Sequence, residues 1–110
     1  MKGLIDAGET PEQAARRELQ EEIGLTAAKL TPLRTLYSSP SHMFGQMFVF
    51  VAQDLRASKL DGDEPEPLIP VRIPLVRLDE LIDDDALGNS QTLSALMLLQ
   101  RKFPELFQAA

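Results

Sequence analysis

Three glutamates, Glu18, Glu21 and Glu22, fall within one short stretch of GLIDAGETPEQAARRELQEEIGL, the segment from Gly3 to Leu25. On a helix, positions three and four apart are neighbours, so these like charges repel by roughly 0.2–0.5 kcal/mol per pair. They also sit in the C-terminal half of the segment, where the helix dipole disfavours acids. Something must offset that charge. A hard divalent cation, Mg²⁺ or Mn²⁺, would do so, because such ions take oxygen ligands and are often held by one or two carboxylates plus substrate phosphates. Arg17, adjacent to Glu18 and four before Glu21, is the other available counter-charge. An acidic helix face is more often plain solvated surface, so the carboxylates alone do not decide the matter.

The elements that must position them are well marked. Thr10 is a good N-cap, Pro11 suits the first helical position, and Gln13 can complete a capping box with Thr10. Good helix formers follow from Ala14 to Leu19, and Gly24 is the natural left-handed C-terminal cap. The segment therefore predicts a helix of about four turns. Projected at about 100° per residue, Ala15, Leu19 and Ile23 form an apolar stripe, with Glu18, Glu21 and Glu22 together on a neighbouring face. Gly3, Gly8 and Gly24 are expected to serve backbone geometry.

Spacing decides what the carboxylates alone do not. The chain has Gly3, five residues, Glu9, seven residues, Arg17-Glu18-Leu19, one residue, Glu21-Glu22, one residue, and Gly24-Leu25. Seven fixed residue types and two apolar positions would co-occur by accident at roughly one start point in 10⁹, given ordinary residue frequencies. This pattern resembles the Nudix box at each of its defining positions.

The resemblance implies an α/β fold, a Nudix α/β/α sandwich in which a mixed sheet lies between helices and several strands precede the box. Here the box begins at Gly3, so residues 1–110 read as a single Nudix hydrolase domain that is N-terminally incomplete. The resemblance further implies that the residue before the box glycine, Lys2, offers its backbone carbonyl to the metal. Glu18, Glu22 and Glu21 would hold Mg²⁺ or Mn²⁺, with Glu22 and Glu18 the first choices as direct ligands. Arg17 and Glu9 look like the pair that orients the carboxylates.

Composition sets outer limits. A chain of 110 residues with 44% hydrophobic content can bury one core. The absence of cysteine excludes disulfides and thiolate chemistry and is compatible with a reducing cytoplasm. No apolar run reaches membrane-spanning length and no signal peptide is apparent, so neither a membrane nor secretion is expected. A net charge of −6 argues against nucleic acid as a partner but not against a small phosphorylated ligand, whose charge a bound cation would offset.

Downstream, Thr26 to Lys29 read as a polar connection and Leu30 to Tyr37 as a strand, with Pro32 confining its start to an edge. Ser38 to His42 is a loop by composition. It falls where ADP-ribose pyrophosphatases resembling this chain carry a Ser-Pro sequence, which makes Ser39 and Pro40 substrate-binding candidates beside the plainer reading of a turn. His42, the lone histidine, is expected to have no catalytic part. Gln46 to Gln53 is dense in β-branched and aromatic residues, a strand of the sheet centre, with Met43, Met47, Phe48 and Phe50 as core. Asp54 to Pro70 reads as a long acidic connection broken by prolines, and loops of that length are often part of an active site. Nudix pyrophosphatases supply a further glutamate from such a loop, as metal ligand or general base. Glu66 is preferred here and Glu64 is the alternative. Leu75 to Ile82 forms a short amphipathic helix, and Asn89 or Ser90 caps a final one that Pro104 ends, read as a layer packed on the sheet.

From LIDAGET through SSPSH and DGDEPEPL to the final helix, the chain is similar to the ADP compounds hydrolases, a branch of the ADP-ribose pyrophosphatase-like Nudix enzymes. That likeness implies Mg²⁺-dependent hydrolysis of a nucleoside diphosphate linked to another group, such as ADP-ribose, diadenosine polyphosphates or NADH, releasing AMP. The base would be Glu66, Glu64 or a box glutamate. A homodimer is expected from the resemblance and from the uncovered sheet edge. Two other readings share the box: a hydrolase that cleanses nucleoside triphosphates, and an inactive fragment serving as a metal-binding or interaction module.

Overall fold

Thr10 opens the first helix as its side chain dictates. Its Oγ1 accepts from the Gln13 backbone N–H at 3.1 Å, while the Gln13 Oε1 accepts from the Thr10 N–H at 2.9 Å, a complete capping box. The structure, a computed structural model, describes residues 4–37, 45–58, 72–84 and 87–109. They fall in two units, Met1–Pro70 and Val71–Ala110.

In the first unit the order is α1 (Pro11–Glu18), a π-helical turn (Leu19–Ile23), β1 (Leu25–Tyr37) and β2 (Gln46–Ala57). The helical segment ends at Gly24 as its composition predicts, with φ +72° and ψ +34°. Its last turn is wider than the sequence suggests, because the Gly24 N–H reaches both the Gln20 and the Leu19 carbonyls. No propensity scale marks that widening in advance.

A Cβ at position 24 would meet nothing within 4 Å, so the preference for glycine there is a matter of backbone alone. Gly24→Ala is therefore expected to lower stability by about 1–2 kcal/mol, the left-handed penalty of a β-carbon. Gly24→Asn should lose less, since asparagine visits this region more readily. Thermal unfolding midpoints of the three proteins check this, and equal midpoints would contradict it.

The strands correct two boundaries. Thr26 to Lys29 belong to β1 and Asp54 to Ala57 belong to β2, because the two segments pair with each other. Their antiparallel register places Leu25 opposite Ala57 and Lys29 opposite Gln53. Asp54 keeps its place with φ +57°, a left-handed conformation that aspartate tolerates better than most residues. Pro32 lies inside β1 rather than at its start. The ladder shifts register between Pro32 and Arg34, the kind of irregularity at which a strand accepts proline.

The described strands form one antiparallel pair. Alternation in β2 buries Val49 and leaves Phe48 37% exposed, so the expectation that Phe48 is core does not hold, and Met47 and Phe50 are half-buried. Met43 and His42 lie outside the described residues. On α1 the buried residue is Ala14, not Ala15, and the buried positions of this unit, Ala14, Ala27 and Val49, are small enough to let helix and hairpin approach closely. Arg16 fastens that contact by donating from Nη1 to the Ala27 carbonyl at 2.7 Å.

The second unit is helical. A 3₁₀ turn, Leu75–Arg77, leads into α2 (Leu78–Asp83), where Leu78 is buried. Asn89 caps α3 (Ser90–Lys102), its Oδ1 accepting from the Gln91 and Thr92 N–H groups. Pro104 follows the end of α3 and opens a 3₁₀ turn to Phe107. None of the described helices is long and apolar enough to cross a membrane.

Candidate active site

Arg17 occupies the centre of the box. Its guanidinium has five N–H donors in a fixed fork. The Nε and Nη2 groups grip Glu9 on both oxygens, at 2.7 and 2.9 Å. Nη1 donates to Glu18 Oε1 at 3.0 Å and to Glu21 Oε2 at 3.1 Å. Nη2 also donates to the Leu4 carbonyl at 2.8 Å, and Asp6 stands 3.4 Å away. One side chain thus ties the loop before α1 to the acidic end of the helix.

The loop is shaped to meet it. The Glu9 N–H donates to the Asp6 carbonyl at 3.1 Å, closing a turn in which Gly8 adopts φ +85°, the left-handed third position of a type II turn. Glu9 Oε1 accepts from the Asp6 N–H at 2.8 Å, which braces the same turn from inside. Arg17, followed by the Asp6 N–H, holds the Glu9 carboxyl below its usual range. In return Glu9 holds the guanidinium firmly protonated, with Glu18 and Asp6 adding to the effect.

Glu22 is of the opposite kind. Burial pushes its carboxyl up, reinforced by a hydrogen bond to Glu18 and by the charges of Glu18 and Glu21. Glu18, at the end of α1, is only 14% exposed, whereas Glu21 is 41% exposed. The acidic residues therefore form a chain of contacts running from Glu21 through Arg17 and Glu18 to Glu22. As they stand, no three acidic or histidine side chains among the described residues converge tightly enough to hold a metal ion. Arg17 Nη1 engages Glu18 and Glu21 at once, so part of the cluster's negative charge is already offset from within the chain.

Two half-buried carboxylates that repel each other, one of which resists ionising, form a donor set suited to a divalent ion that completes its shell with water and phosphate oxygens. The pairing of Arg17 with Glu9 was expected from the resemblance, and the two side chains meet. The parts of Asp6 and the Leu4 carbonyl were not expected, although an aspartate three before a glutamate across a glycine hints at the turn. Lys2, Gly3, Ser39, Pro40, Glu64 and Glu66 lie outside the described residues.

A glycine-led loop, a capped helix and an arginine that collects the box acids define a class, and the sequence matches the NUDIX domain family over residues 1–96. The chain belongs to that family. Within it, the chain is 46% identical over 99 residues to the ADP compounds hydrolase NudE of Escherichia coli, covering 90% of this chain and 53% of that protein. It is 34% identical over 102 residues to an ADP-ribose pyrophosphatase of Bacillus subtilis, covering 91% and 55%. A crystal structure of an ADP compounds hydrolase superposes with a TM-score of 0.81 at 44% identity, covering 94% of this chain and 56% of that one. The chain thus shares their mixed α/β fold and spans about half the length of these relatives.

Proposed function

We propose that this protein is a Mg²⁺-dependent Nudix pyrophosphohydrolase that cleaves ADP-ribose, or a related ADP compound, with release of AMP. The observation that carries the reading is the Arg17 fork, which joins the Glu9 loop to Glu18 and Glu21 beside Glu22, in a chain similar to hydrolases of ADP compounds. Water attacking a diphosphate must approach phosphorus through a shell of negative oxygens. A divalent ion, Mg²⁺ or Mn²⁺, would neutralise those oxygens and lower the pKa of water.

Glu18 and Glu22 would hold that ion, and Glu21 would join them on release from Arg17. Arg17 and Glu9 keep the two carboxylates where they are needed by fixing the backbone on either side. The Lys2 carbonyl is a further proposed ligand. Glu66, Glu64 or a box glutamate would take the proton of the attacking water, and Ser39 and Pro40 would line the substrate side. We further propose a cytoplasmic homodimer, in line with the resemblance to the ADP compounds hydrolases and with the absence of cysteine.

Incubation with ADP-ribose and Mg²⁺, followed by chromatography, tests the assignment. One water consumed should yield AMP and ribose 5-phosphate in equal amounts, with diadenosine polyphosphates and NADH also cleaved. Preference for nucleoside triphosphates with release of diphosphate would contradict the substrate class.

A further inference from the structure

The wide turn that carries Glu21 and Glu22 is fastened near its start and at its cap by Ser58. We propose that Ser58, at the end of β2, is a positioning residue that fixes this turn and with it the placement of Glu22 against Glu18. The proposal rests on the reading of Glu18 and Glu22 as metal-holding groups.

The observation is a closed ring of hydrogen bonds. Gln20 Nε2 donates to Ser58 Oγ at 2.9 Å, the Ser58 N–H donates to the Gly24 carbonyl at 2.8 Å, and the Gly24 N–H donates to the Gln20 carbonyl at 3.0 Å. Gln20 lies near the start of the turn and Gly24 caps its end, with Glu21 and Glu22 between them. Ser58 reaches both residues because of strand register. Leu25 pairs with Ala57, so one further step along the ladder sets Ser58 opposite Gly24. A π-helical turn is a rare conformation that needs support from its surroundings, and it leaves terminal carbonyls to be satisfied by outside donors. Ser58 supplies one such donor and also an acceptor for the side chain just before Glu21. Both Ser58 and Gln20 are half-buried, which keeps water from competing freely for these bonds. Gln20 occupies one of the box positions that carries no fixed residue type, so the pairing is a property of this chain's own sequence.

The test uses the whole chain and Mn²⁺, with water-proton relaxation reporting the bound ion. Ser58→Ala removes the Oγ acceptor and Gln20→Met removes the amide donor at similar length. Each is expected to weaken Mn²⁺ binding about tenfold, as loss of a group supporting a metal ligand typically does. The double variant should be no weaker than either single one, because both remove the same bond. Ser58→Thr, which keeps the hydroxyl, should restore binding to within about threefold of wild type. In hydrolysis, the Mg²⁺ activation constant should rise in the same proportion while the KM for ADP-ribose at saturating Mg²⁺ stays within about twofold. Wild-type Mn²⁺ affinity in Gln20→Met and Ser58→Ala would overturn the proposal alone. A wild-type chain that binds no Mn²⁺ would overturn the reading of the site and the proposal with it.

Discussion

Glu22→Gln should lower turnover of ADP-ribose by roughly 10²–10³, the range for removing one preorganised electrostatic group, while leaving the metal-free chain at least as stable as wild type. The two effects have one cause. Burial, the hydrogen bond to Glu18 and the charges of Glu18 and Glu21 raise the Glu22 pKa, so the folded chain holds that proton more tightly than the unfolded chain does. The associated stability is complete below the ordinary carboxylate range and is lost as pH rises through the raised value of Glu22. Once ionised, the carboxylate is therefore an unfavourable charge in the folded chain, and glutamine removes it at nearly the same shape. Melting curves of both proteins without metal, set beside their rates with Mg²⁺, check the pair of outcomes. A variant that lost activity because it had unfolded, or one with near-normal turnover, would contradict the role assigned to Glu22.

Replacing Arg17 should be nearly as damaging by a different route. Its five donors reach Glu9 twice, Glu18, Glu21 and the Leu4 carbonyl, and an ammonium on a flexible stem has three donors and no fork. Arg17→Lys is accordingly expected to behave like Arg17→Ala, with kcat/KM lower by about 10–100-fold and faster amide exchange at Asp6 and Glu9. Glu9→Gln should reproduce much of this, and the Arg17→Ala/Glu9→Gln double variant should be little worse than either alone. Acid acts on the same contact. Since Arg17 depresses the Glu9 pKa, the stability from this pair is present above the ordinary carboxylate range and fades as pH falls through Glu9's lowered value. Wild-type kinetics in Arg17→Lys would show that the fork geometry is dispensable.

What could be read from the chain itself was whatever depends on local chemistry. Thr10, Pro11, Gln13 and Gly24 mark the ends of the box helix because capping is a property of a few adjacent residues. Fixed spacing likewise carried the resemblance to the family, and with it the expected pairing of Arg17 with Glu9. The features missed are those set by partners distant in sequence. Thr26–Lys29 and Asp54–Ala57 look like loops in isolation and become strands because each pairs with the other. The ring through Ser58 joins residues 38 positions apart and depends on that pairing, so nothing near Gln20 could announce it. The 100° projection assumes 3.6 residues per turn throughout, and the wide final turn that carries Glu21 and Glu22 departs from it.

The central claim is that Glu18 and Glu22 together hold a divalent ion. Titration of Mn²⁺ into the wild-type chain and into Glu18→Gln/Glu22→Gln at neutral pH, with free ion followed by electron paramagnetic resonance, addresses it most directly. The account predicts saturable binding by the wild-type chain, weakened at least about 100-fold in the double variant. Equal binding by the two proteins would contradict it.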